Sequence, residues 1–220
     1  SYTESGSAAT DVNRLQDPDD GHMDNVHIVR NNNFADVVIL LVEDFNGTTA
    51  GRAYDILDPV SLSFEDNSYC AVTTSASVGN HSFAHEIGHL MGARHDWYVD
   101  NSNNSPFTYN HGYVNLSDSW RTIMAYNNEC DDNGSNCLRI NHWSNPNVNF
   151  GGDPTGVPEG NNNAADNHLT LENTKFCVAN FRNSNNGYTW GIYDILDDDL
   201  QLNQLSTLQV QFISPEADDY

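Results

Sequence analysis

The chain has 220 residues, 38% of them hydrophobic, which suits one domain with a modest core and long polar connections. Eight basic residues face 31 acidic ones, a formal charge of -23 that makes nucleic acid a poor partner, because a phosphate backbone is held by basic patches. No apolar run reaches the roughly 20 residues that span a bilayer, and no basic stretch followed by an apolar one opens the chain.

In chain order, residues 11–16 predict a short helix, Asp17-Pro18-Asp19-Asp20-Gly21 a turn, and residues 24–30 a second helix. After the break at Asn31-Asn32-Asn33, residues 35–42 are a nearly continuous apolar and β-branched run. That pattern predicts a strand buried on both faces, in the middle of a helix-covered sheet. Residues 51–54 read as a short, glycine-led edge strand and residues 68–74 as another strand. Residues 79–82 then introduce a helix over 82–92, with Asn80 or Ser82 as its N-cap.

That helix carries His85-Glu86-Ile87-Gly88-His89-Leu90-Met91-Gly92-Ala93-Arg94-His95-Asp96. Residues four apart share a helix face, so His85 and His89 point the same way and can fill two corners of a zinc tetrahedron. Glu86 sits beside the metal position, where it can take a proton from activated water. Gly92 can adopt positive φ and turn the chain, returning His95 as a third ligand and leaving one position open for water and substrate. The string H-E-x-x-H-x-x-G-x-x-H resembles the extended zinc signature of the metzincin endopeptidases at every fixed position.

The resemblance extends further along the chain. Metzincins place a methionine turn beneath the zinc, and Thr122-Ile123-Met124-Ala125-Tyr126 looks like it, with Met124 as an apolar floor. Asp96 after the third histidine is similar to the adamalysin or reprolysin branch. Met-x-Tyr is similar to the astacin branch, where the tyrosine reaches the zinc or steadies the transition state, a role that would fall to Tyr126. The resemblance also implies that the edge strand at 51–54 aligns the substrate backbone by strand addition. Adamalysin-like enzymes bind calcium between a Cys-x-x-Asn and an aspartate leading into the central strand; Cys177-Val178-Ala179-Asn180 and Asp36 match that pattern, making Asp36 and Asn180 the expected calcium ligands. Metzincins usually open with a strand and a long helix for which residues 1–30 offer no clear candidate.

Residues 97–119 form a long aromatic-rich polar loop, residues 138–164 an irregular Gly- and Pro-containing path, and residues 164–181 a C-terminal helix. Four cysteines allow three pairings. Cys130 and Cys137 bracket a polar loop and suit a local bridge; Cys70–Cys177 would then tie the region before the zinc helix to the C-terminal helix. A free thiol stays open as an alternative. Paired cysteines imply an oxidising, extracytoplasmic setting.

The sequence therefore predicts an α/β (α+β) catalytic domain over residues 1–182: a twisted mixed sheet, an active-site helix and a loop-rich lower part, followed by an extension over 183–220. The expected function is a secreted Zn2+-dependent endopeptidase, with Ca2+ as a further ion, acting on protein or peptide substrates and released from an inhibitory pro-segment. The alternative is a zinc-bearing binding or adhesion module without turnover.

Overall fold

The computed structural model describes residues 2–47, 49–101 and 104–182, so the expected extension over 183–220 lies outside the described residues. Helix α1 (Ala8–Gln16) begins at Ser7, whose hydroxyl accepts from the Thr10 N–H, and buries Ala8, Val12 and Leu15, an i, i+4, i+7 stripe. Helix α2 (Asn25–Asn32) delivers Arg30 into the interior. Its guanidinium donates to the carbonyls of Ala35 and Asp36 and to the Tyr69 hydroxyl, at 2.7–3.0 Å.

Strands β1 (Val38–Val42), β2 (Gly51–Ala53) and β3 (Tyr69–Thr73) form a mixed sheet in the order β1-β3-β2, with β3 parallel to β1 and antiparallel to β2. Here the expectation for residues 35–42 is corrected. All five residues of β3 are buried, whereas β1 lies at the edge with Leu41 40% exposed, so β3 is the central strand. An unbroken apolar run marks burial by neighbours of any kind, and Val38 and Val42 obtain theirs from α1 and its surroundings. Ala8 and Val12 of α1 pack on Val42, Phe45 and Ala71, so a helix does cover that face of the sheet.

The 3-10 helix Leu62–Asn67 and the short helix α3 (Thr74–Ser77) flank β3, and helix α4 (Ser82–Leu90) lies across β2 and β3. Val37, Leu57, Phe64, Cys70, Leu90, Met91, Val178 and Phe181 make the apolar cluster beneath it. Below α4 the chain is mostly irregular. Strands β4 (Val114–Asn115), β5 (Trp120–Arg121) and β6 (Leu138–Arg139) make a second small sheet, with helix α5 (Asn128–Asp132) between the last two. Strands β7 (Asn149–Phe150) and β8 (Asp153–Pro154) pair with each other.

Helix α6 (Asn167–Val178) starts at Asp166, whose carboxylate accepts from the Leu169 N–H at 2.9 Å. Its buried face is largely polar: Asn167, Thr170 and Thr174 point inward. Thr174 bonds the Met91 carbonyl and Asn167 the Asn110 carbonyl. A polar inner face explains why its apolar period is imperfect.

Cys130 and Cys137 form the expected local disulfide. The Cys70–Cys177 bridge is not formed; both remain thiols, although both border the same apolar cluster. The reason is rotational: α6 turns Asn167, Thr170, Thr174 and Val178 inward, which leaves Cys177 on its half-buried flank while Cys70 is sealed on β3.

Candidate active site

Helix α4 places His85 and His89 one turn apart on its buried face, with Glu86 buried beside them. His81, not Asn80 or Ser82, occupies the N-cap position, with a left-handed φ of 55° and no side-chain capping bond. The helix ends at Leu90, two residues before the expected limit. Gly92 then takes φ +87°, and the N–H groups of Gly92 and Ala93 donate to His89 and Gly88 carbonyls at 2.9 Å. A Cβ at Gly92 would lie 3.2 Å from both the Leu57 carbonyl oxygen and Pro106 Cγ, so the turn requires glycine sterically as well as conformationally. Arg94 then pairs with His111 in a parallel bridge, which directs the chain to His95.

Three imidazoles meet where these elements converge. His95 Nε2 lies 3.1 Å from His85 Nε2 and 3.0 Å from His89 Nε2. The Nδ1–H groups of His85 and His89 donate to the carbonyls of Ile123 and Ala93, each at 2.9 Å. Those bonds fix the tautomer and leave the Nε2 lone pairs of both rings aimed at the common point. Burial is the main cause that holds the three rings neutral: His85 is pushed well below the usual imidazole range, His89 to about 4, against the Ala93 hydrogen bond, and His95 to about 2. Tetrahedral zinc with nitrogen ligands at about 2.0–2.1 Å sets those nitrogens about 3.3 Å apart. The donor set therefore fits zinc in type, tautomer and spacing. Among the described residues it is the only cluster of histidine, cysteine and acidic side chains close enough to hold a metal.

Beneath the triad, the Ala125 N–H donates to the Thr122 carbonyl at 3.1 Å, closing the expected 1,4-turn. Met124 is fully buried among Ala93, Ile123 and Trp143. A Cβ on Gly88 would come within 2.7 Å of the Met124 sulfur, so this glycine admits the floor against the helix. Asp96 binds the turn to the ligand segment, accepting from the Tyr126 N–H at 2.8 Å and the Tyr98 N–H at 3.1 Å. The Tyr126 ring stands 4.1 Å from the His95 ring and is 37% exposed, facing the open side. Burial pushes the Glu86 carboxyl up to about 8, partly offset by the Ala53 N–H, Arg139 and Arg52. Glu86 also abuts strand β2: a Cβ at Gly51 would lie 2.7 Å from its carboxylate oxygen.

A family model described as Metallo-peptidase family M12, of reprolysin type, matches residues 1–138. The chain belongs to this metallo-peptidase family. It is 44% identical over 185 residues to a protein of Stenotrophomonas maltophilia named peptidyl-Asp metalloendopeptidase, a match covering 83% of this chain and 40% of that protein. A protein of the same name from Xanthomonas campestris is 43% identical, with 83% and 39% covered; one from Pseudomonas fragi is 36% identical, with 82% and 85% covered. The chain thus spans about two fifths of the length of the Stenotrophomonas and Xanthomonas relatives. No solved structure matches.

Within this metallo-peptidase chain, calcium at Asp36 and Asn180 gains no support from the surroundings of Asp36. Asp36 is buried against the Arg182 backbone N–H and the guanidinium groups of Arg30 and Arg182, and burial pushes its carboxyl up to about 6. Its immediate electrostatic partners are already cations. The Asn180 side-chain N–H donates to the Phe176 carbonyl at 2.6 Å. Two groups near the zinc site were not singled out by sequence. His111 stacks on Trp97 and bonds the His95 carbonyl through Nδ1 at 2.8 Å, steadying the third ligand. Arg139 reaches the same cleft from β6, and no local motif announces it.

Proposed function

We propose that the chain is a zinc-dependent endopeptidase that works outside the reducing cytoplasm and cleaves peptide bonds beside aspartate. The observation that carries the reading is the convergence of three neutral imidazoles at 3.0–3.1 Å, with Glu86 buried alongside. His85, His89 and His95 would hold zinc, which supplies Lewis-acid activation of water and of the scissile carbonyl. Strand β2 lies at the sheet edge, and the Gly51 N–H and the Ala53 carbonyl point away from β3, so they are available to an extended substrate, while the Ala53 N–H is held by Glu86. Glu86 takes the proton of the attacking water at its carboxylate and gives it to the leaving amine. Burial keeps the Tyr126 phenol above its usual titration range and therefore a donor, and it hydrogen-bonds the developing oxyanion. Met124 and Asp96 act through position. The Cys130–Cys137 disulfide supports an oxidising compartment. Aspartate as the substrate residue is carried over from the relatives' name.

The test is reconstitution. The chain stripped with a chelator should be inert toward casein and regain cleavage with one equivalent of zinc, and peptides containing aspartate should be cut faster than asparagine counterparts. Zinc binding without any cleavage of casein or peptides would leave a binding module instead.

A further inference from the structure

We propose that the guanidinium of Arg139 is the specificity-determining group that receives the carboxylate of the substrate aspartate. The inference rests on the endopeptidase reading above and assigns the residue behind its selectivity.

Arg139 and Arg121 are register partners on β6 and β5, so their side chains leave the same face of the small sheet. Both reach the carbonyl of Ala125, immediately after the methionine floor: Arg121 Nη1 at 2.6 Å and Arg139 Nη2 at 3.2 Å. Arg139 Nη1 also donates to the carbonyl of Asn80, just before α4, at 3.1 Å. The guanidinium therefore bridges the two walls between which Glu86 and Tyr126 lie, and both of those groups, with Asp96, feel its charge.

Its hydrogen bonding is incomplete. A guanidinium has five N–H donors. Two are used here, both on neutral carbonyls, and the Nε–H is buried without a partner. Arg139 makes no salt bridge among the described residues, although the chain carries 31 acidic residues; the ion pairs there belong to Arg94, Arg182 and Lys175. Two adjacent cations, unpaired and half-buried beside a catalytic cleft, are a costly arrangement that an incoming carboxylate relieves. A planar guanidinium edge also matches a carboxylate in a bidentate way that an amide cannot reproduce.

The other candidates fit less well. Arg121 spends its Nε on the Cys137 carbonyl and lies toward Asp96 and Asp131. Arg52 is paired with Ala71, which packs toward α1, on the sheet face opposite the one that Cys70 presents to the core under α4.

The experiment measures kcat/KM of the zinc-loaded full chain on fluorogenic peptides identical except for Asp, Asn or Ala at one position. Wild type, Arg139→Gln, Arg139→Lys and Arg52→Gln are compared. Loss of a charge-assisted contact predicts that Arg139→Gln lowers the Asp-to-Asn ratio of kcat/KM about 100-fold, with Arg139→Lys between it and wild type. A wild-type ratio in Arg139→Gln, or a collapse confined to Arg52→Gln, overturns the assignment. Because Arg139 also ties two loops, a second readout uses wild type alone: an Asp-containing product peptide should protect Arg139 from phenylglyoxal, read by mass spectrometry, and the Asn peptide should not. Equal modification in both cases also overturns it. Failure of the underlying reading is visible separately, in the wild-type rows: no zinc-dependent cleavage, or cleavage indifferent to Asp, sinks reading and assignment together.

Discussion

The two sides of the cleft are built by different means. On one side, His85 and His89 share a face because they are four residues apart on α4, and a single glycine turn returns His95. On the other, Arg121 and Arg139 meet at Ala125 only because β5 and β6 pair in one particular register. Chemistry that depends on helical periodicity is written locally, whereas selectivity that depends on the register of two-residue strands is not. The first arrangement should be strict and the second adjustable.

Breaking the strict side gives the largest expected effect. His95→Ala should weaken zinc binding by more than about 100-fold, exceeding the roughly 10–100-fold cost of losing a hydrogen bond behind a ligand, as measured by competition with a chromophoric chelator. Next is pH. With metal removed, the folded protein keeps the Glu86 proton to about pH 8, whereas the unfolded chain loses it near 4.5. Between those values the folded state binds more protons at Glu86, so the contribution of this group to stability falls as pH rises, by up to about 1.4 kcal/mol per unit. The three histidines, held neutral in the fold, act in the opposite sense, so the Glu86 contribution is read as a difference: in urea melts of the stripped protein at pH 5.5 and 7.5, the stability of wild type relative to Glu86→Gln should fall as pH rises. Met124→Ala should cost about 2–4 kcal/mol in the same melts, the expense of a large side chain removed from a closed core, while zinc stoichiometry stays at one. Tyr126→Phe should lower kcat about 10–100-fold with little change in stability or zinc affinity, since only an oxyanion donor is lost. The smallest test concerns the cysteines: two thiols per denatured chain should react with Ellman's reagent, and none would restore the Cys70–Cys177 bridge.

Much of the site was legible because each zinc-side residue stands at a fixed offset in one string or in the turn after it. The three histidines, Glu86, Gly92, Asp96, Met124 and Tyr126 are all brought together where that pattern requires. What was not legible lies in pairing and rotation. The apolar run at 35–42 could not reveal that β3, not β1, is central, since strand order is a long-range property. Asp36 and Asn180 matched a spacing, but Arg30 and Arg182 fill the surroundings of Asp36 with positive charge that no local pattern announces. Cys177 had a partner in the same cluster and was turned away from it by the polar inner face of α6. Arg139 belongs to a strand of two residues, too short to carry a periodic signal.

The central claim is that a zinc held by His85, His89 and His95 works with Glu86 as the proton carrier. Its most direct test is Glu86→Gln, loaded with zinc and assayed on casein with the metal content measured in the same sample. The account predicts one zinc per chain and a rate lower by about 10²–10⁴-fold, the usual contribution of a general base. A variant that holds its zinc and cleaves casein at the wild-type rate would contradict it.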